Sequence, residues 1–393
     1  MINPPTNLKL RPARENSFER SASLNLQVAT KHLTKIGGGI NIGIIGTGFG
    51  GKIHLPGFQK IKGARVLAIA GRDLKKTKEL AKKYKVPLAF KNWRELVRHP
   101  EIDAVSIATP PYLHAPMALE AIKRGKHVFC EKPLAMSVEE AQKMLRAARR
   151  ARIRHAIDFE FRETPHFKFF KELLLQKRIG KLRYINISWL TGGRAGPNVP
   201  YGWQNNAKLG GGTLLAFASH MVDYLEWFFG PVQKILANLI IAKKYTGGKK
   251  VSADDTCDIL MEFSDGTSAN LAFSNVLPGN SGHKITAYGG EGKLELLNPN
   301  LDNFDMVYGF EIWETKLGEH SPKKLSLPSR FGRLPRYPDG RLALFAKTAQ
   351  NFIASIKKGK NLGPSFREGL RAQIILEAAQ KSNRLGRWIT LPR

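Results

Sequence analysis

The chain has 393 residues, of which 42% are hydrophobic, and it carries a formal net charge of +31. This size suits two ordinary domains with real cores, and no apolar run approaches the ~18 residues of a membrane span. The positive charge is spread along the chain, which favours a generally basic surface over a specific nucleic-acid site. The densest basic run, at 146–154, indicates a solvated face, with an anionic substrate or incidental polyanion contact as the alternatives.

Cysteine usage and the N-terminus bear on location and metal binding. Only Cys130 and Cys257 occur, far apart, which argues against a disulfide framework or a cysteine metal site. No HExxH or comparable histidine spacing occurs, so no metal is expected. The N-terminus lacks the apolar core of a signal peptide, and we expect a cytoplasmic protein. Residues 1–39 are polar and aperiodic, and are predicted to be a disordered or extension arm.

Residues 40–157 alternate short apolar strands with helices. Buried apolar strands joined by helices form a parallel sheet that is covered on both faces. This segment is therefore predicted to be an N-terminal Rossmann domain with a doubly wound parallel sheet. Asp73, Asn92 and Ser137 are the predicted N-caps of its helices. Strands are predicted at 40–46, 64–70, 103–109, 127–130 and 153–158, and helices at 73–84, 92–99 and 137–150.

Residues 158–393 show longer strand patterns with stricter alternation of apolar and polar residues. The sequence SDGT at 264–267 predicts a hairpin turn between two of these strands. Two long helical patterns and a short strand end the chain. We therefore predict a second α/β domain with a large, mostly antiparallel open sheet.

A glycine-rich turn directly follows the first strand. Gly46, Gly48 and Gly51 form the pattern GxGxxG between a strand and a helix start, as in dinucleotide-binding sites. The first glycine permits a tight turn, the second lets the backbone approach a pyrophosphate, and the third allows close helix–strand packing. The helix N-terminus then faces the phosphates. A dinucleotide is the expected ligand, and a structural turn without a ligand is the alternative.

The end of the second strand bears on the choice of dinucleotide. The position where an acid usually binds the ribose is Gly71, and Arg72 follows it. A guanidinium at this point can stack on adenine and pair with a 2′-phosphate, so NADP is favoured over NAD. Asp73 argues the other way, although a role as N-cap explains it equally well.

A more specific pattern lies at 108–145. A strand ends in TPP (109–111), His114 follows, and EKP (131–133) comes after the next strand. Together with GxGxxGxxH at 46–54, this resembles the glucose–fructose oxidoreductase, inositol dehydrogenase and rhizopine catabolism (Gfo/Idh/MocA) family of dehydrogenases. The resemblance extends over residues 40–393. It implies hydride transfer between NAD or NADP and a sugar, polyol or related cyclic alcohol or ketone, by a homodimer or homotetramer.

The resemblance also implies site residues. Lys132 and His220 would be catalytic, and an ammonium at the carboxyl end of a strand can donate to a carbonyl that gains a hydride. Arg162, Trp203 and Asp223 would contact the substrate, with a structural ion pair for Arg162 and core packing for Trp203 and His220 as alternatives. The cofactor would contact Gly46, Thr47, Gly48, Phe49, Gly50, Arg72, Thr109, Pro110, His114, Glu131 and Lys132.

One position departs from the family pattern. Relatives carry a carboxylate four residues before the histidine, where this chain has Ala216. At that spacing the carboxylate and His220 would share one helix face and point at one substrate. The alanine can neither position a substrate nor move its proton.

Three interpretations of this departure stay open. In the first, Lys132 and His220 suffice for catalysis, with Ser219 or Asp223 assisting. Alternatively, a shifted carboxylate at Glu160 or Glu163 replaces the missing one. The third interpretation is a catalytically silent protein of the same fold that senses a cofactor or sugar.

Overall fold

The structure, a computed structural model, describes residues 39–279, 281–299 and 307–392. Every described element belongs to one compact unit, Gly39–Arg393. The predicted arm at 1–39 lies, apart from Gly39, outside the described residues. In the described part of the chain, no helix combines the length and apolar character that crossing a membrane requires.

The first sheet contains six parallel strands of the described chain. They are β1 Ile40–Ile45, β2 Ala64–Ala70, β3 Leu88–Phe90, β4 Ala104–Ile107, β5 His127–Cys130 and β6 His155–Ile157. Their spatial order is β3-β2-β1-β4-β5-β6, with every neighbouring pair parallel. This is the order of a dinucleotide-binding Rossmann sheet, so the predicted fold of this segment is confirmed.

Five described helices lie between these strands, and three of them begin where the sequence predicts N-caps. They are α1 Leu55–Gln59, α2 Leu74–Lys83, α3 Trp93–Arg98, α4 His114–Lys123 and α5 Val138–Arg150. The side chain of Asp73 accepts a hydrogen bond from the backbone N of Lys76 at 3.1 Å and caps α2. Asn92 and Ser137 cap α3 and α5 in the same way. Each cap satisfies a backbone N–H that has no partner within its helix.

The rest of the chain builds a second, open sheet. Its elements are α6 Pro165–Leu175, β7 Leu182–Leu190, α7 Ser219–Phe229, β8 Val232–Ile240, β9 Tyr245–Thr246, β10 Lys249–Lys250, β11 Thr256–Phe263, β12 Ser268–Ser274, β13 Gly282–Gly289, β14 Gly292–Asn298, β15 Glu311–Lys316, β16 Lys323–Leu325, α8 Arg341–Lys358, α9 Phe366–Leu385 and β17 Ile389–Thr390. Nine described strands pair in the order β16-β15-β14-β13-β7-β12-β11-β8-β17, and β9 pairs with β10 separately. Neighbours in the large sheet are antiparallel except β7 and β12. The predicted mostly antiparallel sheet and the hairpin at SDGT are confirmed.

Helix α8 lies far from the first sheet in sequence but packs on it. The ring of Phe345 lies 5.5 Å from that of Phe58 and 5.4 Å from that of Phe129, and Phe352 lies 5.6 Å from Phe129. These buried rings share one apolar core with residues of β1 and β2. The C-terminal part of the chain therefore returns to the Rossmann sheet. This brings Arg341, the first residue of α8, to a cleft at the carboxyl edge of that sheet.

Candidate active site

A cleft of about 550 Å³ lies at the carboxyl edge of the parallel sheet. Because the six strands run in one direction, their carboxyl ends meet at this edge, where open α/β sheets bind ligands. Each strand contributes a lining residue just beyond its end: Gly46 after β1, Arg72 after β2, Lys91 after β3, Thr109 after β4, Lys132 after β5 and Glu160 after β6.

The second part of the chain completes the cleft wall, largely with aromatic rings. Trp189, Trp203 and Phe217 line it together with His220 of α7 and Arg341 of α8. Pockets for small molecules commonly combine such apolar surfaces with a few polar groups that fix orientation. The structure thus places Trp203, a predicted substrate residue, in the cleft.

The glycine turn has the geometry that its motif predicts. Gly46 has a φ of +118°, and a Cβ there would lie 2.2 Å from the carbonyl oxygen of Ala108, so no other residue fits. A Cβ on Gly48 would meet nothing within 4 Å, whereas one on Gly51 would lie 2.9 Å from Cδ1 of Leu80 in α2. Gly48 therefore leaves room for a ligand, and Gly51 allows close packing of the helix.

The position of the usual ribose-binding acid is closed to side chains. A Cβ on Gly71 would lie 2.4 Å from Cγ2 of Thr47 and 2.7 Å from Oγ1 of Thr77. Arg72 and Lys91 are exposed and line the cleft at this end. This end of the cleft therefore presents two cations.

Lys132 connects the two parts of the chain across the cleft. Its Nζ donates to the carbonyl oxygen of Ala216 at 2.6 Å and lies 5.8 Å from the ring centre of Phe217. Oε1 of the neighbouring Glu131 lies 2.9 Å from Nε2 of His54. Burial opposes the ionisation of Glu131, but the hydrogen bond and charge of His54 outweigh it, and the pKa of Glu131 falls to about 2. An ionised carboxylate therefore lies next to Lys132.

The fold also assembles a buried trio that sequence spacing does not reveal. Potential metal-ligand atoms of His54, Glu131 and Asp158 lie within 4.8 Å of one another. Both ring nitrogens of His54 are already engaged, Nδ1 with Oγ of Ser106 at 2.7 Å and Nε2 with Glu131. Burial and the charges of Glu160 and Glu131 raise the pKa of Asp158 well above its usual range. We infer that His54, held by Ser106, orients Glu131, and that Asp158 is a buried neighbour of this pair.

His220 lies in the first turn of α7 with its ring fixed by two phenylalanines. The ring packs edge-on against Phe159 and Phe161, at centroid distances of 6.1 and 5.0 Å. Burial and the charge of Lys132 lower the pKa of His220 well below its usual value. The imidazole is therefore neutral, and it lines the cleft.

A carboxyl group does face His220, and it comes from the turn Glu160–Glu163 after β6. Oε2 of Glu160 lies 3.8 Å from Nδ1 of His220, and both side chains are 5% exposed. Among the described residues, neither atom has a hydrogen-bond partner. Burial and the charge of Glu131 raise the pKa of Glu160 to about 7.

The other candidate carboxylate is used elsewhere. Glu163 accepts hydrogen bonds from Nζ of Lys168 at 2.5 Å and Nδ2 of Asn351 at 2.7 Å, and it does not line the cleft. Ala216 lines the cleft but offers only a methyl group and the carbonyl that Lys132 binds. Of the two shifted carboxylates considered from sequence, the structure brings Glu160 to the site.

Arg162 and Asp223, which the resemblance assigns to substrate contact, pair with each other in the structure. Nε and Nη2 of Arg162 donate to Oδ2 and Oδ1 of Asp223 at 2.8 and 2.6 Å, and neither residue lines the cleft. Burial outweighs the neighbouring guanidinium and raises the pKa of Asp223 to about 6. Their charges neutralise each other behind the cleft wall. This agrees with the structural ion pair that the sequence left open for Arg162.

His114 and Gly50 also lie behind the wall, although the resemblance predicts that they contact the cofactor. The ring nitrogens of buried His114 lie 2.8 Å from the carbonyl oxygens of Pro133 and Thr109. This side chain therefore links the segments that follow β4 and β5. A Cβ on Gly50 would lie 3.1 Å from that of Ala108, because Gly50 packs on the sheet.

Arg341 is a cleft residue that the sequence does not indicate. Its guanidinium lies 5.2 Å from the ring centre of Phe49 and donates to the carboxylate of Asp339 at 2.8 and 2.7 Å. Its distance from the glycine turn along the chain leaves no local signal. The remaining predicted cofactor residues line the cleft: Gly46, Thr47, Gly48, Phe49, Arg72, Thr109, Pro110, Glu131 and Lys132.

Comparison with known proteins agrees with this arrangement. Residues 40–159 match a family model described as an oxidoreductase family, NAD-binding Rossmann fold. Residues 171–391 match the C-terminal alpha/beta domain of the same family. The chain belongs to the Gfo/Idh/MocA oxidoreductase family. The resemblance drawn from the glycine and EKP motifs is thereby confirmed.

Relatives of this Gfo/Idh/MocA protein align over nearly their whole length. An uncharacterised oxidoreductase of Synechocystis is 36% identical over 90% of this chain and 96% of its own. Levoglucosan dehydrogenase of Pseudarthrobacter phenanthrenivorans is 26% identical over 90% and 98%. A solved structure of levoglucosan dehydrogenase with NADH has a TM-score of 0.81 at 24% identity, covering 90% of this chain and 100% of that one. That likeness shows the shared fold.

The cleft of this Gfo/Idh/MocA chain fits a dinucleotide on its own geometry. The open space over Gly48 and the turn permitted by Gly46 leave room for a pyrophosphate against the backbone. Thr109, Pro110 and Lys132 line the same cleft from the ends of β4 and β5. A cofactor bound along the glycine turn would therefore extend toward Lys132 and toward His220, which lines the cleft from the second part of the chain.

Proposed function

We propose that the protein is an NAD(P)-dependent dehydrogenase that transfers a hydride between a nicotinamide and the carbinol carbon of a sugar, polyol or related cyclic alcohol or ketone. The main support is that Lys132 and His220 line one cleft with the glycine turn. An ammonium and a neutral imidazole can together manage the proton that accompanies hydride transfer. The levoglucosan dehydrogenase among the relatives agrees with a carbohydrate-like substrate.

The cofactor we favour is NADP. The glycine turn would hold the pyrophosphate, and Arg72 and Lys91 would contact the adenosine end. Two cations beside the closed Gly71 position complement a 2′-phosphate. Asp73, the acid that argues for NAD, caps α2.

The reaction divides between cofactor and protein. When bound, the nicotinamide accepts or supplies the hydride. Lys132 gives one N–H to the carbonyl of Ala216 and keeps two for a substrate oxygen, where its charge stabilises developing alkoxide character. His220, neutral because of burial and Lys132, accepts the hydroxyl proton in oxidation and returns it in reduction. The rings of Trp189, Trp203 and Phe217 pack on substrate C–H surfaces and exclude water.

A catalytically silent regulator that senses a cofactor or sugar is the second candidate. Ala216 favours it, because the usual helix carboxylate is missing. The placement of Lys132 and His220 in the cleft favours the enzyme, because a sensor needs no proton-transfer pair.

The test is a purified-protein screen with NAD⁺, NADP⁺, NADH and NADPH against a panel of sugars, polyols and cyclic ketones. Cofactor binding is followed by thermal shift, and turnover by absorbance of the reduced nicotinamide. We expect turnover with at least one carbohydrate-like substrate. Tight cofactor binding without redox change on any substrate would support the regulator instead.

We further propose a cytoplasmic homodimer or homotetramer without a specific nucleic-acid or membrane partner. On the open face of the large sheet, opposite its buried residues, Leu260, Tyr184 and Tyr288 are 43%, 40% and 41% exposed. Such partly apolar surface suits a self-association interface. Sedimentation of the purified protein measures the assembly, and a monomer at micromolar concentration would contradict it. The free, buried Cys130 and Cys257 agree with a reducing compartment.

A further inference from the structure

We propose that Glu160 is the proton acceptor for His220, so that the turn after β6 supplies the carboxyl group of the site. Glu160 acts through His220 and is therefore a positioning residue. This inference rests on the proposed dehydrogenase function and adds the route by which the substrate proton leaves the imidazole.

The two side chains present unused polar atoms to each other. Oε2 of Glu160 and Nδ1 of His220 are 3.8 Å apart, and neither has a hydrogen-bond partner among the described residues. Buried polar atoms without partners are uncommon, because they have lost water without replacement. The separation exceeds the upper end of the N–H···O hydrogen-bond range by about 0.6 Å, and the proposal requires a side-chain rotation that closes this gap.

Their surroundings hold this pair in place. Phe159 and Phe161 flank Glu160 in sequence and pack on the imidazole ring. The Arg162–Asp223 ion pair ties the turn of Glu160 to the helix of His220. The same short segment thus orients the imidazole and presents the carboxyl group to it.

The proton steps balance. In alcohol oxidation the substrate O–H bond breaks as an Nε2–H bond forms on His220. The Nδ1–H bond of His220 then breaks as an O–H bond forms on Oε2 of Glu160. The C–H electron pair leaves as hydride to the nicotinamide, and the C=O bond forms. Reduction reverses each transfer.

The charges around Glu160 suit this role. Burial and the charge of Glu131 raise its pKa to about 7, while Lys132 and Arg341 partly oppose this. Asp158 lies in the same segment, and its own pKa is raised in part by Glu160. At neutral pH the carboxyl group of Glu160 therefore exists in both forms and can take up or release a proton.

The first test compares E160Q with E163Q, a control in the same turn whose glutamate is paired outside the cleft. We expect E160Q to lower kcat by about 10- to 100-fold and leave KM for both substrates within about threefold. It should also remove the limb of the kcat–pH profile near neutrality, whereas E163Q should leave kcat and the profile unchanged. An unchanged profile in E160Q, or an equal loss in E163Q, would overturn the proposal. Melting curves confirm that both variants are folded.

The second test does not depend on turnover. Nitrogen-15 NMR of the cofactor-free protein reports the tautomer of His220, with the resonance assigned by H220Q. We expect the Nδ1–H tautomer to dominate above neutral pH in the wild type and in E163Q, and to lose population in E160Q. If E160Q changes the tautomer of His220 but the wild type turns over no substrate, the Glu160–His220 pair is supported and the dehydrogenase function is contradicted. If the wild type turns over substrate and E160Q leaves the tautomer of His220 unchanged, the dehydrogenase function is supported and the Glu160–His220 pair is contradicted.

Discussion

Arg162 and Asp223 form a two-point ion pair that ties the turn carrying Glu160 to the helix carrying His220. The arginine side chain is 18% exposed and the aspartate side chain 3%. A guanidinium that binds a carboxylate through two N–H groups fixes the relative orientation of the two side chains as well as their distance. These two residues therefore set the geometry of the site from behind the cleft wall.

Breaking this pair on one side should destabilise the fold. D223A leaves the guanidinium of Arg162 largely buried without its partner, and we expect a loss of about 3–5 kcal/mol in the free energy of unfolding. The double variant R162M/D223L should recover much of this, because apolar side chains replace both charges. Urea unfolding measures the values. E262A, which breaks the half-exposed Lys234–Glu262 pair, should cost no more than about 1 kcal/mol. A D223A loss as small as that of E262A would contradict the role assigned to the pair.

Removing the ammonium of Lys132 should abolish turnover without releasing the cofactor. We expect K132A to reduce kcat by about 10²- to 10⁴-fold. The reason is that Lys132 is the one cation that lines the described cleft at the end of β5. Cofactor affinity, measured by fluorescence titration, should stay within a few fold. K123A removes an exposed lysine of α4 and should leave kcat unchanged. Retained turnover in K132A would rule out its catalytic assignment.

The cations at the other end of the cleft should discriminate between the two cofactors. We expect R72A and K91A each to weaken NADPH binding by about 10-fold or more, since hydrogen bonds to charged groups contribute about 1.5–3 kcal/mol. NADH binding should change by less than about threefold. Isothermal titration of both cofactors to both variants measures the difference. Equal losses for NADPH and NADH, or tighter binding of NADH by the wild type, would show that the preference for NADP is wrong.

Two glycines of the nucleotide-binding end should respond differently to the same methyl group. A Cβ on Gly71 overlaps Thr47 and Thr77, so G71A should cost about 1–3 kcal/mol of stability. A Cβ on Gly48 meets nothing within 4 Å, so G48A should fold normally and lose dinucleotide affinity. Melting temperature and cofactor titration separate the effects. A stable G71A, or a G48A that binds cofactor normally, would contradict the assigned geometry.

The raised pKa of Glu160 predicts a pH dependence of stability. Its pKa is about 7 in the fold, against 4.5 for an ordinary glutamate. Between these values the folded state holds more protons than the unfolded state, so the free energy of unfolding falls as the pH rises. E160Q cannot titrate, so its stability relative to the wild type should improve from about pH 5 to about pH 8. Urea unfolding at both pH values tests this, with E163Q as the control. Parallel changes in E160Q and wild type would show that Glu160 has an ordinary pKa.

Several features of the site follow local rules and are predictable from sequence. The glycine motif, the N-caps Asp73, Asn92 and Ser137, and the SDGT hairpin depend on the conformations of a few neighbouring residues. The strand ends that carry Arg72 and Lys132 reach one cleft because parallel strands end at one edge of a sheet. The Rossmann fold was predictable because short apolar strands alternate with helices, and the family because the glycine and EKP motifs resemble those of known members.

Sequence by itself therefore determined the fold, the glycine turn and the positions of Lys132 and His220 within their motifs. Tertiary structure alone decided that Glu160 faces the imidazole while Glu163 turns away, that Arg162 binds Asp223, and that α8 returns to deliver Arg341. Each of these depends on which distant segments pack together and on which buried charges must neutralise each other. Spacing along the chain does not encode those contacts, because they form only when the two sheets and their covering helices are assembled.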